Sequence, residues 1–399
     1  MADELNVTMF NVGFGDCFLV DIPVGSRPFR MLFDCGRHKG GTKENQELAD
    51  EVIEAAKDAD GTARIDVIVA THRHKDHVSG FAADGWDKVQ VREVWLPWTE
   101  NPEDPNARGL AARQVKAAAL AQAAATTNPA LGANRHSLGL LELALSNEAA
   151  MDTLYHGFAG APVRRYLPDE TDPLEPLTLS GVPGVRLHVM GPTRDETTLG
   201  TMDPPKAETF RKLAAAGGAG GGTGFVPFPA QWVRNDTILL PPEKPALDGD
   251  DEQELARLSA QSSLTALSAA IDNAINNTSL VVMIEVGTAR LLFCADAQWG
   301  NWRAILAEPH WCELIKTTTF LKVGHHASHN ASPVTLINAL LPKGIPAMVS
   351  VETKIHNGVP NDELLKAFGT QHYSVARSDE PAPAGYTAGD GRISLAMDF

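Results

Sequence analysis

The chain has 399 residues, enough for one large layered domain with insertions or for two domains. Hydrophobic residues make up 43% and charged residues 21%, an ordinary balance for a globular protein. The longest apolar runs, such as Leu280–Ile284, fall far short of the ~20 residues that a membrane helix needs, so no membrane span is expected. The formal net charge of −16, from 34 basic and 50 acidic residues, repels polyanions at long range and argues against tight binding to long nucleic acid. A small phosphorylated substrate stays open, because bound divalent metals reverse the local sign.

The opening Met-Ala-Asp-Glu-Leu-Asn has no basic region and no apolar core of a secretory signal. Cys17, Cys35, Cys294 and Cys312 show no CxxC spacing and read as reduced, buried thiols. Both features lead us to expect a cytoplasmic chain.

Val7–Val12 and Cys17–Ile22 read as strands joined by Gly13-Phe14-Gly15-Asp16, with Arg30–Cys35 a third. Glu47–Lys57 has apolar residues at helical spacing. Ile65–Ala70 is nearly continuous and β-branched, as in a strand buried on both faces. Val91–Leu96 is another strand. Arg108–Ala125 and Ser137–Leu145 read as helices, Val185–Met190 as a strand, and 253–274 as a helix. The glycine-rich run 217–224 and the Pro- and acid-rich run 241–252 read as loops; no Walker lysine follows the glycines. Ser279–Val286 and Ala289–Cys294 form a predicted hairpin, Thr319–Val323 and Ala347–Val351 are predicted buried strands, and Arg392–Met397 is a last strand. Asn361–Phe368 is a short helix capped by Asn361 or Asp362. No repeat of fixed period is visible.

Chemistry concentrates in His72-Arg73-His74-Lys75-Asp76-His77, directly after the buried strand Ile65–Ala70. Imidazole and carboxylate are the ligands that zinc or manganese accept. In an extended segment His72 and His74 point to one side and can share a metal, while Asp76 and His77, on the following turn, can hold a second.

His-x-His-x-Asp-His after a strand resembles the signature of the metallo-β-lactamase superfamily. Further stretches are similar to the branch that contains the hydrolase domain of the competence protein ComEC: Asn11-Val12-Gly13-Phe14-Gly15-Asp16-Cys17, Phe33-Asp34-Cys35-Gly36, Asn276-Asn277-Thr278-Ser279-Leu280, Phe293-Cys294-Ala295-Asp296 and Leu321-Lys322-Val323-Gly324-His325-His326-Ala327-Ser328. Ala327 stands where glycine is usual. The resemblance covers roughly 5–100, 183–193 and 276–399. It implies one α/β domain over 1–399, a metallo-β-lactamase αββα sandwich. A large, partly helical insertion over 101–270 surrounds a core strand near 183–193.

The resemblance also implies a ligand set. His72, His74 and Asp296 would hold one ion; Asp76, His77, Asp296 and His326 would hold the other. His325 would face the substrate, and Asp76 would also orient the attacking hydroxide. The cofactors implied are two divalent ions, zinc or manganese. Asp16, Asp34, Asn276 and Asn277 would support the ligands from behind, and Lys322, Ser328 and His356 are candidate substrate contacts. No histidine precedes the strand leading to Asp296, so the first ion has three protein ligands; His136, His156 and His188 are available but read as ordinary surface or core residues. Trp95 and Trp98 read as packing or as a cleft wall. The expected activity is metal-dependent hydrolysis of a phosphodiester in a small molecule or nucleotide. The alternatives are hydrolysis of a carboxylic ester, lactone or thioester, and a partner-binding module with restrained activity. An open groove carrying Arg108, Arg113, Arg164 and Arg165 would instead favour nucleic acid.

Overall fold

The computed structural model describes residues 4–25, 27–38, 43–127, 147–169, 174–201, 203–210, 274–353, 355–356 and 358–399. The expected helices at 137–145 and 253–274, apart from Ala274, the two loops at 217–224 and 241–252, and His136 lie outside the described residues. In chain order the strands are β1 (Glu4–Phe10), β2 (Phe18–Ile22), β3 (Phe29–Phe33), β4 (Arg64–Val69), β5 (Gln90–Pro97), β6 (Val163–Leu167), β7 (Val185–Gly191), β8 (Val281–Val286), β9 (Ala289–Phe293), β10 (Phe320–Lys322), β11 (Pro346–Val349), β12 (Ser374–Arg377), β13 (Thr387–Gly389) and β14 (Arg392–Asp398). The helices are α1 (Asn45–Ala55), the single turn α2 (Lys75–Val78), α3 (Pro105–Thr127), α4 (Glu148–His156), α5 (Glu196–Leu199), α6 (Trp299–Ala307), α7 (Pro309–Ile315) and α8 (Asp362–Thr370).

These strands form two sheets. One runs β13-β14-β1-β2-β3-β4-β5-β6 and the other β12-β11-β10-β9-β8-β7. The two share a plan. In the first, β14, β1, β2 and β3 pair antiparallel, and β3 to β6 pair parallel. In the second, β7, β8 and β9 pair antiparallel, and β9 to β12 pair parallel.

Side-chain alternation sets the layers. On β4, Val67 and Val69 join a core shared with Leu280, Val282 and Ile284 of the other sheet, while Ile65 and Ile68 pack outward with Leu48 and Val52 of α1 and Met151 and Leu154 of α4. Both faces of β4 are therefore covered, which is why its sequence is a continuous apolar run. The outer face of the second sheet packs on Trp302, Ile305, Trp311, Leu364 and Phe368 of α6, α7 and α8. The result is an α/β protein in four layers, helix, sheet, sheet, helix. The cap of α8 is Asn361, whose Oδ1 accepts from the Glu363 and Leu364 amides at 3.0 Å each.

Between the sheets, Phe293 stacks on Phe33 with ring centroids 3.9 Å apart and meets Phe18 edge-on at 6.2 Å. Phe293→Ala empties the middle of this seam and is expected to cost about 3–5 kcal/mol in urea unfolding. A loss below about 1 kcal/mol would show that the seam collapses around the gap.

Strand β6 was not expected. It lies within the stretch for which the resemblance gave no role, yet it pairs with β5 as the last strand of the first sheet. Its sequence, Val-Arg-Arg-Tyr-Leu, suits a sheet edge, where charged side chains replace the apolar alternation that marks a central strand.

Candidate metal centre

The residues of the centre converge because each follows a parallel strand at its carboxyl end, the position where open α/β sheets bind ligands. Asp34 follows β3, His72 to His77 follow β4, Asp296 follows β9, His325 and His326 follow β10, and Ser350 follows β11. Two loops must approach very closely for this. The Asp34-Cys35-Gly36 turn lies on the backbone of the histidine segment, with the Cys35 amide donating to His77 O at 2.8 Å. A Cβ on Gly36 would stand 2.4 Å from the His77 carbonyl carbon, and one on Gly15 would stand 2.7 Å from Asp76 O. Only glycine permits this packing.

Asp76, His77, Asp296 and His326 are all buried, and one ligand atom from each lies within 4.8 Å of the others. His77 Nε2 is 3.1 Å from Asp296 Oδ2 and 3.9 Å from Asp76 Oδ2. His326 Nε2 is 3.3 Å from Asp76 Oδ2 and 3.6 Å from Asp296 Oδ2. Next to this group, His72 Nε2 faces His74 Nδ1 at 3.1 Å, and the His72 ring lies 4.1 Å from that of His77. These two imidazoles and Asp296 do not form a compact trio as the other four do: among the described residues, the only further compact group is Asp16, Asp34 and His77.

The donor set fits a metal. Asp76 Oδ1, Asp296 Oδ1 and Asn276 Oδ1 are buried without a hydrogen-bond partner, an arrangement that is costly unless a cation or water satisfies them. His77 Nδ1 lies 2.7 Å from Asp34 Oδ2, and His326 Nδ1 lies 2.8 Å from Ser350 O. Both contacts place a proton on Nδ1 and aim Nε2 at the carboxylates, the tautomer a metal requires. Burial disfavours the charged form of His77, yet Asp296, Asp34 and Asp76 outweigh it and raise its pKa well above the ordinary value. His326 is likewise raised against burial, by Asp296 and Asp76 foremost. Without a metal, these protons occupy the positions a divalent ion would take. Burial, helped by His77 and His74, pushes His72 well below its ordinary value, and burial brings His74 down to about 4 against the pull of Asp76. Both are therefore neutral and able to ligate. Burial works against ionised Asp76, but His77 and His326 hold its carboxyl below the usual range; His77, His325 and His326 do the same for Asp296.

Asp34, Asp16 and Asn276 lie next to this group. Asp34 accepts from the Thr71 amide and hydroxyl at 2.8 and 2.7 Å as well as meeting His77. Asp16 pairs with the ammonium of Lys322 and stands 3.8 Å from both His77 Nδ1 and His326 Nδ1. Asn276 Nδ2 lies 3.5 Å from His325 Nε2. His325 has a side chain 19% exposed with Nε2 3.8 Å from Asp296, whereas the His326 side chain is fully buried. The second histidine thus faces the carboxylates and the first faces outward.

Three expectations need correction. Asn277 does not support the ligands: its amide donates to Leu199 O and Thr201 O, and its Oδ1 accepts from the Asn301 amide. Lys322 is only 2% exposed and is held by Asp16, so it neutralises charge beneath the centre and offers no surface to a substrate. Ser328 is also buried, with its hydroxyl on Asn330 Oδ1 at 3.0 Å. The His356 ring is 4.6 Å from Phe14, which lies 4.2 Å from His326. Trp95 and Trp98 are fully buried and pack; their indoles donate to Glu93 Oε2 and Thr193 O. His188 bonds Glu285 at 2.9 Å, and neither it nor His156 belongs to a compact ligand group. Thr71 and Ser350 were missed. The strand-end rule that flags Asp34 and Asp296 would have flagged both, since each follows a buried parallel strand.

The backbone is strained where the ligands turn inward. Asp34, Ala295, His325, His326 and Ala327 all have φ between 44° and 63°, a region non-glycine residues rarely enter and one that clusters at functional sites. The φ of 63° at Ala327 is one that glycine adopts more readily than alanine.

No protein-family model matches the chain, and no curated protein matches it. Fold and site together define an α/β protein with a buried His/Asp cluster that can hold a metal ion. None of the helices among the described residues is long and apolar enough to cross a membrane.

Proposed function

We propose that the chain is a metal-dependent hydrolase of the metallo-β-lactamase fold, in its ComEC-like branch, acting on a phosphodiester in a small molecule or nucleotide. The observation that carries this reading is the convergence of Asp76, His77, Asp296 and His326, drawn from both sheets, with one buried oxygen of Asp76 and one of Asp296 left without a hydrogen-bond partner. Four buried carboxyl groups, Asp16, Asp34, Asp76 and Asp296, surround the centre, with the imidazoles of His77 and His326, both raised in pKa, among them. Two divalent ions in place of the imidazole protons would draw a hydroxide from water near neutral pH and polarise the scissile group.

The chain's own groups supply the remainder. Asp76, with Oδ1 unpartnered, orients the attacking water. His325, kept neutral by burial, presents a ring edge to the opening and donates to the charge developing on the substrate. His356 and Phe14 bound the rim above His326.

A small substrate suits the arginines better than long nucleic acid does. Arg108 donates to Pro102 O and Glu103 O, Arg113 pairs with Glu196, Arg164 donates to Leu154 O and Pro162 O, and Arg165 pairs with Glu93. All four are engaged by partners within the molecule. The free thiols of Cys17, Cys35, Cys294 and Cys312 suit a reducing compartment such as the cytoplasm.

The test is hydrolysis of bis(p-nitrophenyl) phosphate with added Mn²⁺ or Zn²⁺, run beside lactone and thioester substrates. Phosphodiester turnover that is lost in Asp76→Ala supports the reading. Turnover confined to lactone or thioester moves the substrate class. No turnover at full metal occupancy favours a binding module.

A further inference from the structure

The histidine segment is gripped from outside by helix α4, which belongs to the stretch that no motif explains. Asn147, the residue before α4, is 4% exposed, and its Nδ2 donates to Arg73 O at 2.6 Å. Arg73 lies between His72 and His74, so this one hydrogen bond fixes the peptide plane that joins the two imidazoles. A second hold runs through the Arg73 side chain, whose Nη1 is 3.6 Å from Glu100 Oε2. Tyr155, on α4, donates its hydroxyl to Glu100 Oε2 at 3.2 Å and to Glu100 O at 3.3 Å. The helix is itself anchored, since Ala150, Met151 and Leu154 pack with Val78 and Phe81, which immediately follow His77. α4 therefore touches the ligand segment at Arg73 and again just past its end.

This brace answers a specific need. His77 is oriented by the Asp34 carboxylate and His326 by the Ser350 carbonyl. His72 Nδ1 meets the Thr71 hydroxyl at 3.2 Å, a longer contact to a neutral group that itself donates to Asp34 Oδ2 at 2.7 Å. The direction of His72 and His74 is set in addition by the backbone between them, and the Asn147 amide holds that peptide through Arg73 O.

We propose that Asn147 is a positioning residue of the metal centre: through the Arg73 carbonyl it holds His72 and His74 convergent, with Tyr155, Glu100 and the Arg73 side chain as a second hold. The proposal rests on the metal-centre reading above. Asn147→Asp isolates it, because aspartate starts a helix as well as asparagine does but cannot donate to Arg73 O. Titrating Co²⁺ into metal-free protein, followed by calorimetry and the visible spectrum, should give one binding step weakened by roughly 10–100-fold with altered absorption, and a second step unchanged. Asn147→Ser, which keeps a donor, should lie closer to the parent. Tyr155→Phe should weaken the same step by a smaller factor, and it keeps the test open if Asn147→Asp does not fold. Folded variants with parental affinities and spectra, whatever their melting temperature, overturn the positioning role while leaving the metal centre intact. A parent chain that binds no Co²⁺ removes the metal centre and the positioning role together.

Discussion

Asp296→Ala is expected to lower the metal content from the proposed two ions per chain to one or none. Asp296 Oδ2 lies 3.1 Å from His77 Nε2, 3.6 Å from His326 Nε2 and 3.8 Å from His325 Nε2. Among the described residues, no other carboxylate lies within 4.0 Å of all three rings. Loss of a group that merely supports a ligand typically costs roughly 10–100-fold in affinity or activity, and loss of a shared ligand should exceed that. Elemental analysis after dialysis against Mn²⁺ or Zn²⁺ reads the stoichiometry directly. An unchanged ratio of metal to protein in this variant would remove Asp296 from the ligand set. His72→Ala provides the companion measurement, and it should lower metal content while leaving the Asp76, His77, Asp296 and His326 group in place.

Lys322→Met should destabilise the metal-free protein by about 3–5 kcal/mol, the usual cost of leaving one member of a buried ion pair without its partner. Its ammonium is buried beneath the centre and sits on Asp16, whose side chain is 1% exposed. Methionine nearly matches the stem but leaves the buried Asp16 carboxyl group without its partner. The double variant Lys322→Met with Asp16→Asn removes both charges and should recover most of the loss, since a buried pair contributes little beyond a well-packed neutral replacement. Urea unfolding in the presence of a chelator checks both. If the single variant unfolds at the parental urea concentration, the pair has no structural role.

Much of the centre is legible in the sequence, for a physical reason. Metal ligands come from residue types that seldom cluster by chance, and buried parallel strands announce themselves as apolar runs, so His72–His77 after β4 and Asp296 after β9 stand out. The outward turn of His325 is harder to read, because it depends on three successive residues, His325 to Ala327, with positive φ. Long-range side-chain partners are harder still. Lys322 is an ordinary strand residue until the fold sets its ammonium against Asp16, 306 positions away, and Asn277 carries a motif asparagine whose amide the fold gives to Leu199 and Thr201. Strand β6 escapes detection because an edge strand can be polar, and the hold of Asn147 on Arg73 escapes because a single amide meeting a backbone carbonyl leaves no pattern in the chain.

The ligands come from loops of both sheets, and this separates them widely along the chain. Asp76 and His326 are 250 positions apart. During synthesis the His72–His77 segment leaves the ribosome long before Asp296 and His326 exist, so the emerging amino-terminal half offers at most an incomplete set of ligands to a passing ion. Closing so long a loop is an entropic demand that the interleaved apolar faces of the sheets must meet first. A metal ion bound by this cluster would therefore load late in the life of the chain, after the sheets have docked, and would be chosen by the finished arrangement of donors and by cellular supply rather than by the nascent peptide.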